Sequence, residues 1–304
     1  MHTFIAQFLT INAHITSVLC VVPNLLVVFL ILTTQLSEIH EYRLIMAIES
    51  ILELITCLTL SLLDLGFYED GDVIYFVQKG ILASSGQFLA LYGWVFVIFL
   101  FSCKMFLVLL VFIFRYAFIC DKHYLKSLFT CRGACVVAVF VTVVSATIGI
   151  TSGCTLRIED QERFDFIFMR NDTLTFFFKK GYTIAGTLCA TTAGAIFILT
   201  YTVVFWTSAR IIRKTKASGA LLPQIFIIMP ILFLFGVMLT PVHIGIYASV
   251  VPILFNWEPC AYPFIALYFV QPFRKRLSSI FSPNTFRSAI LRCCCSPQQS
   301  STTT

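Results

Sequence analysis

Charged side chains are scarce in this sequence. Only 12% of its 304 residues are Asp, Glu, Lys or Arg, about half the roughly 25% typical of a soluble domain. That deficit excludes an ordinary water-solvated globule of this length. No Gly-rich phosphate loop, metal-type His/Cys spacing or nucleophile elbow occurs, so the residues offer no enzyme reading, no cofactor and no metal. No inverted repeat of the kind many transporters carry is visible. The first residues have no basic n-region, so the first apolar run reads as a retained anchor and not a cleaved signal.

What is present is apolar surface. Hydrophobic residues make up 59% of the chain, with 32 Phe among them. A helix crossing ~30 Å of hydrocarbon needs about 20 apolar residues. Seven runs meet that need, near Ile11–Thr34, Tyr42–Leu65, Gly86–Ile119, Ala134–Ser152, Tyr182–Thr207, Leu221–Tyr247 and Ile253–Val270. The expected fold is an all-α membrane protein, a seven-transmembrane helix bundle. One receptor-sized unit, residues 1–276, precedes a Ser-, Thr- and Gln-rich tail, residues 277–304, that reads as a disordered cytoplasmic segment.

Lys and Arg set the orientation. With the N-terminus outside, fourteen fall on inner segments, including Arg210, Arg213 and Lys214, and Arg274, Lys275 and Arg276. Six fall outside: Lys79, Arg157, Arg163, Arg170, Lys179 and Lys180. N-out and C-in is favoured, and the net charge of +6 is an inner-leaflet signal and not a nucleic-acid one. The twelve cysteines are not a disulfide scaffold. Cys20, Cys57, Cys103, Cys135, Cys189 and Cys260 fall in the spans, and Cys120 and Cys131 on the reducing side. Cys154 alone lies near the outer surface.

One lysine stands in the middle of an apolar run, "FLFSCKMFLVLLVFIFRYAF". Lys104 precedes Arg115, near the inner end of the third span, by eleven residues, or ~16 Å of helical rise. Glu53 follows Arg43, at the inner end of the second span, by ten residues, or ~15 Å. The two opposite charges therefore share a depth. A lone charge at mid-bilayer costs from ~3 kcal/mol upward, and pairing offsets much of that. We expect Lys104 to pair with Glu53, with Glu49, one turn inward on the same face, as the second choice. The pair is either a fixed staple or a switch. Lys104 as a retinal-bearing Schiff base is disfavoured: in seven-helix opsins that lysine lies on the last span, and residues 253–270 contain no Lys.

Pro230 and Pro241 in the sixth span and Pro263 in the seventh remove backbone donors and favour kinks, which can act as pivots. Gln87, Tyr92, Trp94, His243, Tyr247, Trp257 and Glu258, in the outer halves of the spans, could line a small-ligand cavity; interfacial belts use the same residue types. Asn171-Asp172-Thr173 fits a glycosylation acceptor. Phe273 to Arg276 open a basic amphipathic segment suited to the inner leaflet, and Cys293, Cys294 and Cys295 beyond it could carry acyl chains.

Several motifs, in order, resemble a known family. "FIFRYAF", with Phe114, Arg115 and Tyr116, is similar to the signature that ends the third span of the nematode serpentine chemoreceptors of the Str superfamily. "PQIFIIMP", Pro223–Pro230, resembles the start of their sixth span in the Str and Srd families. "YPFIALYFVQPFRKRL", Tyr262–Leu277, resembles their seventh span and short inner helix, and Asn24 in "PNLLVV" matches their first span. The resemblance covers residues 11–277. It implies a G-protein-coupled, odorant-type receptor of the plasma membrane, or of a sensory cilium. Its partners would be a small extracellular ligand, a heterotrimeric G protein facing Arg115 and Tyr116, and the bilayer, with no nucleic acid. Departures exist: Tyr262 replaces the acid or amide before the seventh-span proline, and no cysteine stands atop the third span to pair with Cys154. These changes fit a site in which Lys104 replaces a mobile cation. The rival reading is a transporter or channel that uses Glu49, Glu53, Lys104 and Asp64 as an ion path.

Overall fold

A computed structural model describes residues 2–33, 40–70, 73–78, 80–158, 174–179, 184–215, 250–269 and 271–280. The expected sixth span lies outside these residues, as do Pro230, Pro241, His243, Tyr247, Asn171 and Cys293–Cys295.

The long helices are α1 (His2–Thr33), α2 (His40–Leu63), α4 (Gln87–Ile119), α6 (Cys131–Thr155), α7 (Ile184–Thr215) and α8 (Val250–Phe269). Short helices α3 (Ile81–Ser84) and α5 (His123–Lys126) sit in the connections, and α9 (Gln271–Ile280) follows α8. In lipid every backbone N–H and C=O must be satisfied within the chain, and helices do this locally. Five helices among the described residues are long and apolar enough to cross a membrane. The polar side chains within them follow the same rule. Thr56 and Thr59 donate to Leu52 O and Ile55 O, each at 2.8 Å, one turn back.

Helix α4 is central, packing on α2, α6 and α7, while α1 packs on α2 and α8. The α4–α6 crossing depends on small residues. A Cβ on Gly149 would stand 2.8 Å from Val95 O, and one on Gly153 2.5 Å from Val95 Cγ2. Removing the side chain lets the two backbones approach. The predicted fourth span, 134–152, falls three residues short at each end of the observed helix, because Cys131, Arg132, Cys154 and Thr155 continue it past the apolar run.

The outer end holds an element absent from the sequence reading. Strands β1 (Leu65–Asp70), β2 (Val73–Gln78), β3 (Arg157–Ile158) and β4 (Leu174–Lys179) form an antiparallel sheet in the order β1-β2-β4-β3. The first outer connection supplies a hairpin, and the second adds β4 against it, with Phe76 opposite both Phe67 and Phe176. Beneath it Phe67 meets Phe76 edge-on at 4.9 Å, and Trp94 of α4 lies 4.6 Å from Phe76. Asp64, at φ 42°, turns the chain from α2 into β1 and accepts a hydrogen bond from Thr10 at 3.3 Å.

At the inner end α9 is amphipathic. Phe273 is fully buried against Val27, Leu30, Ile31 and Met46, while Arg274, Lys275 and Arg276 are exposed. Asp121 ends the turn after α4 in a left-handed conformation, φ 53°. Its carboxylate accepts from Lys126 Nζ at 2.7 Å. That hydrogen bond and the Lys126 charge hold Asp121 below the usual carboxylate range. Lys214 of α7 donates to Ile119 O at 2.6 Å, placing a cation on the C-terminal carbonyls of α4, where the helix dipole favours one.

Candidate functional site

Among the described residues, a buried ion pair of the bundle lies between α2 and α4. Lys104 Nζ donates to Glu53 Oε2 at 2.6 Å, with side chains 7% and 4% exposed. The helical rise that gives both residues one depth brings them together. Lys104 Nζ also stands 5.3 Å from the centroid of Phe101, within cation–π range. Glu49 lies one turn inward on α2 and is half-buried.

A sulfur-lined junction adjoins this pair. Cys20 of α1, Cys57 of α2 and Cys260 of α8 form one buried cluster. Cys260 Sγ donates to Thr16 O at 3.2 Å. Beside them Asn24 Nδ2 donates to Cys20 O at 3.0 Å and to Pro259 O at 3.3 Å. The second bond has a local cause. Pro263 has no N–H, so the carbonyl of Pro259 four residues earlier loses its helical partner. The Asn24 amide supplies the missing donor and ties α1 to the proline-containing turn of α8. The pair and the junction together link α4, α2, α1 and α8 through buried polar contacts.

The other predicted residues scatter. Arg115 is half-buried near the inner end of α4, 5.5 Å from the Phe112 ring centroid. Tyr116 does not face the inner surface as the motif suggested: it is buried, with its ring centroid 5.1 Å from that of Trp206 on α7. It therefore packs two spans together. Gln87 is exposed at the start of α4. Trp94 is buried under the sheet and donates its indole N–H to Ser152 at 3.2 Å. Tyr92, two residues earlier and so on a nearly opposite face, is 67% exposed. Trp257 is partly exposed and donates to Asn12 Oδ1 at 3.1 Å. Glu258 lies on α8. Trp94 thus serves the outer core, Tyr92 the outer surface and Trp257 the α1–α8 seam. Pro263 is buried in α8, and Cys154 is exposed and free.

Comparison with known families is decisive at this point. Residues 9–279 match the family described as serpentine type 7TM GPCR chemoreceptor Srd. The chain belongs to this family. Srd lies within the nematode Str superfamily of chemoreceptors, which agrees with the resemblance carried by Arg115, Asn24 and the Tyr262–Leu277 segment. As an Srd-type serpentine receptor the chain is a multi-pass membrane protein with a seven-helix fold, and its family is one of receptors and not of enzymes. No curated protein matches it.

The sequence reading passed over Cys20, Cys57 and Cys260 as a group. Their only signal was recurrence at similar depth in three spans. It also passed over Ser152 and Gln78. Gln78, the last residue of β2, is fully buried and donates to Ala90 O at 3.2 Å.

Proposed function

We propose that this receptor binds a small ligand on its outer side, at the plasma membrane or a sensory cilium, and signals to a heterotrimeric G protein through its inner face. The observation that carries the reading is the buried Lys104–Glu53 bridge within a chain of the serpentine chemoreceptor family. It joins the second and third spans in a dry position where a change of helix geometry alters its strength. Electrostatic interactions grow as the local dielectric falls, so a small separation of α2 from α4 has a large energetic effect. The ligand acts by binding one arrangement of the helices more tightly than the other. Arg115, near the inner mouth, is the G-protein-facing residue.

The ion-path reading is disfavoured by the same geometry. Lys104 and Glu53 hold each other at 2.6 Å, and Asp64 at the outer rim accepts from Thr10. The test is a panel of small volatile and water-soluble compounds applied to cells expressing the chain with a reporter of G-protein activity. A ligand-evoked response, lost in Arg115→Ala at equal surface density, supports the receptor reading. A ligand-evoked current or uptake that persists without G protein contradicts it.

A further inference from the structure

Helix α6 begins with two cysteines one turn apart, Cys131 and Cys135, and both are exposed. Of the thiols whose exposure the structure describes, Cys20, Cys57 and Cys260 are buried, Cys103 and Cys120 are partly covered, and Cys154 is the other exposed one, at the opposite end of the same helix. Four-residue spacing sets Cys131 and Cys135 about 6 Å apart along the axis on one side of α6. The same ladder continues into Val139 and Val143, 64% and 59% exposed. Val136 and Phe140 beside them are 70% and 59% exposed. On a helix apolar enough to span the bilayer, this lane faces acyl chains. Arg132, exposed and between the two thiols in sequence, suits an anionic inner leaflet.

We infer that Cys131 and Cys135 are a site of reversible S-acylation by a long-chain fatty acyl thioester. The thiol sulfur attacks the thioester carbonyl carbon of an acyl-CoA. The new carbon–sulfur bond replaces the old one, and CoA leaves as a thiolate that takes up the proton given up by the cysteine thiol, ending as free CoA thiol. No oxidant or reductant is needed. The added chain lies along the Val139–Val143 lane and pins the connection between α4 and α6, residues 120–130, to the leaflet. That connection carries the Asp121–Lys126 contact and adjoins the Lys214–Ile119 contact, so acylation acts on the inner face that the receptor reading assigns to the G protein. The inference rests on the inner placement of the first turn of α6, not on the identity of any ligand.

The site is distinct from Cys293–Cys295, and the experiment separates them. The full chain is expressed with epitopes at both termini. Cys293→Ser, Cys294→Ser and Cys295→Ser are combined as the background. Immunopurified receptor is treated with hydroxylamine, which cleaves thioesters, and each freed thiol receives a polymer mass tag. The background is expected to keep a hydroxylamine-dependent shift of one or two tags. Cys131→Ser or Cys135→Ser should each reduce that signal, and the two together should abolish it, while Cys120→Ser leaves it intact. Metabolic labelling with an alkynyl fatty acid, normalised to surface-exposed receptor, guards against loss of signal from retained protein. No tag on the background, or a tag that survives the Cys131/Cys135 double substitution, overturns the inference. Selective permeabilisation with the epitopes reports orientation separately, so a failed topology and a failed acylation site give different results.

Discussion

Neutralising Lys104 leaves the Glu53 carboxylate in a site that is 3% exposed. Removing one partner of a buried ion pair costs about 3–5 kcal/mol, because the other charge is stranded. At 1.4 kcal/mol per factor of ten, that is roughly a hundred- to several-thousand-fold shift in a folding equilibrium. Domain stability is commonly about 5–15 kcal/mol, so the loss is a substantial fraction of it. Lys104→Met and Glu53→Gln alone should each reduce surface display, scored with an outer epitope. Each should also shorten the half-life of the detergent-solubilised monomer at fixed temperature. The double substitution removes both charges together and should recover part of both losses. The coupling expected for residues in direct contact is about 0.5–3 kcal/mol. Strictly additive defects would refute the pairing, and Glu49 would then be the acid to test. A double mutant that folds and signals as wild type makes the bridge a staple. One that folds but is permanently active or silent makes it part of the switch.

Three further outcomes follow from the same contacts. Asn24→Ala should strand the Pro259 carbonyl and destabilise the receptor by ~1–3 kcal/mol; Pro263→Ala restores a backbone donor in α8, so thermal-inactivation rates should show the pair to be less than additive. Gly149→Val should push α6 away from Val95 O, now 2.8 Å from where a Cβ would sit, at a cost of ~1–3 kcal/mol for overpacking; unchanged surface display would refute the close approach. Asp121 has a lowered folded-state pKa, so its contact with Lys126 contributes above the ordinary carboxylate range and is lost as pH falls through the lowered value. Carbon NMR of labelled receptor should place its midpoint below that of an unperturbed Asp, and Lys126→Gln should raise that midpoint.

Hydropathy and helical rise carried much of the architecture. Helices α2, α4 and α8 lie within three residues of the second, third and seventh runs, whereas α1 starts nine residues before the first and α7 ends eight residues after the fifth, because a ~30 Å apolar slab sets a minimum length and not the ends. The depth of Lys104 and Glu53 needed only a count from Arg115 and Arg43, and the two lie in contact. The outer sheet was hidden because "VIYFVQ" is a short apolar run like the spans around it, while "LGFYED" runs straight out of the second span into two acids. The Gly71-Asp72 dipeptide between them in the sequence is a hairpin signal, but β4 pairs from about a hundred residues away, beyond the reach of local pattern. The aromatic residues are ambiguous for a related reason. With 32 Phe and 11 Tyr in the chain, an aromatic side chain in the outer half of a span does not distinguish core from lipid face or cavity wall. Trp94 went to the core and Tyr92 to the surface. Tyr116 was placed by its motif neighbour Arg115, whereas its own position on α4 turns it onto Trp206.

The account turns on signalling by the inner face. The most direct measurement is nucleotide exchange on a purified heterotrimeric G protein, catalysed by the receptor reconstituted in lipid discs with anionic inner-leaflet lipid. Exchange should rise above empty discs, fall in Arg115→Ala, and change in the Lys104→Met/Glu53→Gln double mutant if the bridge is the switch. Exchange at the level of empty discs across several G-protein classes, from receptor that stays folded and responds to a bound ligand, would contradict the account.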